Sequence, residues 1–237
     1  MSAMQPPIHF IEGLRTSGWL LVAVPVVALL VLAHHPTIAA HDAGEAMSQL
    51  RGVATSAAAV HAALIAMQCV ILHALLSWLV SRDMTRALPR AAALMLLLGA
   101  VGVIGAALVD GFVVASPAGY PHDADPQLII MDQLVRYSMS LNQVLILAGE
   151  TATSLAFALI SIDLLRIQGG GRWVGALGLA LGVTSLLALL SGRLVLHLHG
   201  MQLLFATQSA WLFGLGVFML RMTAYPRAER PVTGPSS

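Results

Sequence analysis

The stretch LSGRLVLHLHGMQ, Leu190 to Gln202, decides the fold. Taken alone, an alternating apolar run closed by His-x-His reads as a metal-binding strand of a soluble enzyme. Upstream, however, the apolar run reaches back unbroken to Trp173. That is far beyond the roughly four to eight residues of a strand. Within it Gly175, Gly178, Gly182, Ser185 and Gly192 share one helical face, interrupted only by Leu189. Such a small-residue stripe lets a neighbouring helix approach closely. The stretch therefore reads as the outer end of a transmembrane helix over 173–196. Two residues along a helix turn by about 200°, so His197 and His199 face opposite ways. They could share a metal only if the chain unwinds, which Gly200 permits.

Composition extends this to the whole chain. Of 237 residues, 58% are hydrophobic and only 10% charged, against about 25% charged in soluble domains. Mean hydropathy is +0.84, so the chain cannot cover an ordinary wet surface. A helix needs about 20 apolar residues to cross a bilayer. Six blocks qualify, at about 18–33, 54–80, 91–115, 141–165, 173–196 and 203–221. The fold class expected is an all-α bundle of six transmembrane helices. All twelve basic residues are arginine. They are spread over several loops rather than gathered for a phosphate partner, and the net charge of +1 argues against nucleic acid. The single cysteine, Cys69, lies in an apolar run and excludes an intrachain disulfide or a thiolate metal cluster.

The arginines orient the bundle. Arg15, Arg82, Arg86, Arg90, Arg166, Arg172, Arg221, Arg227 and Arg230 fall on one side, whereas Arg51, Arg136 and Arg193 fall on the other. The positive-inside rule then puts both termini in the cytoplasm of a bacterial inner-membrane protein. The expected organisation is a cytoplasmic N-terminus over 1–17, a six-helix domain over 18–221 and a disordered cytoplasmic tail over 222–237. A signal peptidase could act near Thr37–Ala40, but Glu12 in a long n-region and Pro25 in the apolar run oppose a cleaved leader. The external loop 116–140 opens with turn-rich SPAGYPHDADPQ. It then places Leu128, Met131, Val135 and Met139 on one face, the pattern of a short amphipathic helix on the membrane surface.

Ionisable residues within a span cost about 2.5–3.5 kcal/mol to insert and are functional candidates by default. His61, Asp110, Glu150 and Arg193 stand at similar depth in the outer half of four spans. Gln68 follows His61 on its face, Gln143, Ser154, Phe157 and Ser161 share a face with Glu150, and Gln208 adds an amide. A structural ion pair of Arg193 with one carboxylate accounts for part of this. One arginine cannot neutralise both Asp110 and Glu150, so the expectation is a shared polar cavity, open outward and capped by the loop. It would bind a cation or a small or lipid-derived ligand, with Glu150 as base and His61, Asp110 and Arg193 beside it. A divalent metal, zinc or copper, would take His61, Glu150 and His197. The external histidines, His34, His35, His41, His122 and His197, form no dependable ligand motif. Haem is not expected, because only one helix carries two histidines.

Two other classes remain open. A non-catalytic partner subunit or assembly factor would use the Gly175/Gly178/Gly182 stripe to hold a foreign helix within the bilayer. A small transporter would call for inverted repeats, and the two halves show none. RTSGWLL opening the first span, DAGEAMSQL before the second, SRDMTRALPRAA between the second and third, and GRWVGALGLALGV after the fourth together resemble a family of bacterial six- to seven-span inner-membrane proteins, a domain of unknown function. The resemblance implies a fold and no catalytic residues.

Overall fold

The backbone of a chain in hydrocarbon must satisfy its own hydrogen bonds, so each apolar block closes into a helix. The computed structural model describes residues 8–36, 43–114 and 125–224. Outside it lie His41, His122, the segment 37–40 weighed above as a cleavage site, most of the turn-rich start of the external loop, and the tail beyond 224. The helices are α1 (Ile8–Ala33), α2 (Ala43–Ser81), α3 (Ala87–Leu108), α4 (Asp125–Leu164), α5 (Gly170–Leu190) and α6 (Leu198–Ala224). All six are long and apolar enough to span a membrane, and no strand occurs among the described residues.

Each helix packs on its neighbours in chain order, and α1 packs on α6, so the bundle closes into a ring. Its core joins Leu75, Trp78, Phe157, Trp211 and Leu215. The Phe157 and Trp211 rings stand 4.4 Å apart, and Trp211 Nε1 donates to the Val174 carbonyl at 3.2 Å. Val101, Val144, Leu187 and Leu203 are exposed on the outer surface, the face that hydrocarbon covers.

Glycine sets two close helix approaches. Gly99 and Gly102 of α3 meet Gly149 of α4, where a Cβ on Gly102 would lie 2.6 Å from the Gly149 Cα. On α5, the Gly175/Gly178/Gly182 stripe faces the chain's own α4, where a Cβ on Gly175 would meet Ser161 O and Leu165 N at 2.8 Å. A Cβ on Gly178 would collide with Trp211 and Ser161. The stripe is filled from within, so the expectation that it holds a foreign helix is corrected.

Two element boundaries also differ from the sequence reading. The fifth helix stops at Leu190 rather than 196. Gly192 adopts φ 69°, its N–H donates to Leu189 O, and Leu194 N–H donates to Ala188 O, the left-handed glycine stop of a helix C-terminus. LVLH is thus a connection and LHG the first turn of α6, not the end of α5. The segment 128–139 is no separate surface helix either. It forms the first turns of α4, which runs unbroken from Asp125, with Met131 and Val135 packed on Leu50, Val109 and Val114.

At the end of the bundle that carries the α2–α3 turn, Asp163 is buried and accepts from Arg82 Nε at 2.8 Å and Arg86 Nη2 at 3.0 Å. Arg82 also lies over the Trp78 ring, 5.5 Å from its centre. This clamp ties the turn between α2 and α3 to the C-terminal end of α4.

Candidate functional site

The opposite end of the ring holds a cavity of about 330 Å³. Its walls are mostly apolar, with Leu64, Ile65, Val103, Ile104, Ile146 and Phe205 among them. The polar groups that reach it are His35, His61, Gln68, Asp110, Asn142, Gln143, Glu150 and His197.

The structure therefore brings three of the four sequence candidates, His61, Asp110 and Glu150, onto one cavity. Arg193 is not among its lining residues. It is exposed in the connection after α5, because that helix ends three residues before it. In its place Asp110 meets histidine, and Glu150 meets an amide. Glu150 is buried, and its Oε2 accepts from Gln208 Nε2 at 2.6 Å. A neutral amide, not an arginine, meets this carboxyl.

Asp110 owes its position to a break in helix register. Beyond Leu108 the chain makes a π-helical turn, Val109–Val113. Such a turn spends one extra residue and shifts later side chains by about 100° around the axis; π turns recur at functional sites. Gly111 in the same turn lies against the His61 side chain, in a space that any Cβ would overfill. The Asp110 carboxylate thereby meets α2, and its Oδ2 lies 3.0 Å from His61 Nε2.

A residue that sequence reasoning did not single out completes the group. His35, just past the end of α1, puts Nε2 3.3 Å from His61 Nε2 and 3.8 Å from Asp110 Oδ2. Both imidazoles are fixed from behind. His61 Nδ1 lies 2.8 Å from the Ala57 carbonyl, and His35 Nδ1 lies 2.8 Å from the Pro36 carbonyl. A carbonyl oxygen only accepts, so each Nδ1 carries the hydrogen and a neutral ring turns a bare Nε2 lone pair inward. Burial first, and then the neighbouring His61, hold the His35 ring below the usual histidine range, against the opposing pull of Asp110. The three ligand-type atoms converge from α1, α2 and the end of α3.

His197, expected as a metal ligand, is differently engaged. Its Nδ1 accepts from the Gly200 N–H at 3.1 Å, which puts the hydrogen of a neutral ring on Nε2. Glu150, the other expected ligand, is engaged by Gln208. The remaining polar groups of the wall include Gln143, whose Nε2 donates to Leu196 O at 3.3 Å.

No known family matches this chain, and neither a curated protein nor a solved structure matches it significantly. Its site is read from its own geometry.

Proposed function

We propose that this is a bacterial inner-membrane protein, with both termini in the cytoplasm, that binds a small or lipid-derived amphiphile in a cavity opening toward the periplasm. The observation that carries this reading is the cavity. Its volume of about 330 Å³ falls within the range of sites that hold small ligands, roughly 300–1,000 Å³. Its composition is also that of a ligand site, largely apolar with a few convergent polar groups. The apolar walls suit an acyl or hydrocarbon body. His35, His61 and Asp110 suit a polar head group, and Glu150 on the wall is the base available for proton exchange. Membership of the inner-membrane family that the sequence resembles belongs to the same proposal, as does the orientation, which rests on nine arginines against three.

Native mass spectrometry of protein extracted in mild detergent tests this. Wild type is expected to retain a bound amphiphile, and Ile104→Trp, which fills the cavity wall, to lose it. Equal retention by both proteins, or none by either, would overturn the reading.

A further inference from the structure

We propose that His35 Nε2, His61 Nε2 and Asp110 Oδ2 hold one divalent ion of the zinc class, with its fourth position open to the cavity. The proposal stands on three features of the group, none of which needs an amphiphile in the cavity.

The first is an excess of acceptors. Both Nδ1 hydrogens are committed to main-chain carbonyls, so two nitrogen lone pairs and a carboxylate oxygen face one another. A proton on His61 Nε2 would satisfy the edge to Asp110 and leave His35 Nε2 directed at groups already engaged. One cation satisfies all three atoms. The arrangement, with Nδ1–H held by a carbonyl and Nε2 presented inward, is the usual support of a metal-binding histidine.

The second is size. The edges of the triangle are 3.0, 3.3 and 3.8 Å. The three atoms lie on a circle of radius about 2.0 Å, so a point about 2.1 Å from all of them stands about 0.7 Å out of their plane, matching zinc bonds to imidazole and carboxylate of about 2.0–2.2 Å. At that bond length a tetrahedral ion separates its ligands by about 3.4 Å, and a facial set on an octahedral ion by about 3.0 Å. The observed edges centre on the tetrahedral value. Two histidines and one carboxylate at this spacing therefore favour zinc over an octahedral iron site.

The third is position. All three residues line the cavity, and three protein ligands leave a tetrahedral ion one place for water or a ligand oxygen, the pattern of zinc sites that do chemistry. Here that place faces an apolar pocket.

The test uses the full chain in detergent, stripped with EDTA, given zinc chloride and passed through gel filtration. Elemental analysis is expected to find about one zinc per chain. His61→Gln and Asp110→Asn should each weaken zinc binding at least tenfold, while His34→Asn and His199→Asn bind as wild type. Should the site variants fold poorly, wild type alone still decides: its thermal midpoint should rise with zinc and fall back with EDTA. Wild type that takes up no zinc at micromolar concentration, or His61→Gln that binds as well as wild type, would overturn the site and leave a proton-sharing ion pair. Ile104→Trp separates this from the cavity reading, since it should lose the amphiphile and keep the zinc.

Discussion

At the scale of single residues, the informative positions are polar side chains that the bilayer penalises. His61, Asp110 and Glu150 were legible in the sequence because each interrupts an apolar run where burial costs several kcal/mol unless partners exist. The identity of those partners was not legible, because it depends on which helices meet. Glu150 was expected beside arginine, and it faces Gln208. Its substitutions should therefore follow hydrogen bonding. Glu150→Gln keeps an oxygen to accept from Gln208 and should leave the thermal midpoint close to wild type. Glu150→Leu strands the Gln208 amide in the core, at a cost of about 1–3 kcal/mol. Thermal unfolding in detergent checks this, and equal midpoints for the two variants would refute it. His35 was weighed only among the external histidines and not placed beside His61, for the converse reason. It sits past a helix end, where a histidine is ordinary, and only the meeting of α1 with α2 and the end of α3 gives it company.

The elements themselves were legible wherever hydropathy governs, and failed to be where glycine does. All six spans follow from runs of apolar residues. The end of α5 does not, because hydropathy continues through LVLHL while the backbone stops at Ser191–Gly192. The Ser-Gly pair was the local signal, and that misread boundary is what carried Arg193 into the expected site. The π-helical turn that aims Asp110 has no hydropathy signal at all. Close packing makes a sharper contrast between two glycines one turn apart on α3. A Cβ at Gly102 would stand 2.6 Å from the Gly149 Cα, whereas one at Gly105 would meet only the flexible Leu145 side chain at 3.5 Å. Gly102→Ala should destabilise by about 1–3 kcal/mol, the cost of overpacking. Gly105→Ala should be neutral or stabilising by up to about 1 kcal/mol, because alanine is the better helix former. Finding the two variants equal in unfolding would show that α3 and α4 do not meet through this seam.

Across the whole molecule, the ring has two chemically different ends, and the charge from which its orientation is proposed also locks it. Arg82 and Arg86 belong to the arginine-rich turn that the positive-inside rule assigns to the cytoplasm. In the folded bundle the same two side chains converge on the buried carboxylate of Asp163. Asp163 was not among the sequence candidates, since nothing local shows that two arginines from another loop will reach it. Spans insert before they pack, so the two roles should come apart on mutation. Asp163→Ala removes the acceptor for two guanidinium groups and should cost about 1.5–3 kcal/mol of stability, the range for hydrogen bonds to charged groups, while the C-terminus stays cytoplasmic. Neutralising Arg82, Arg86 and Arg90 together should do both, lowering stability and weakening the orientation signal. The measurement pairs thermal unfolding with reporter fusions at the C-terminus. A periplasm-active fusion on the otherwise native chain would refute the orientation, and unchanged unfolding of Asp163→Ala would refute the lock. Because the clamp sits at the end opposite the cavity, Asp163→Ala should also leave zinc uptake at about one ion per folded chain, which separates loss of the frame from loss of the site.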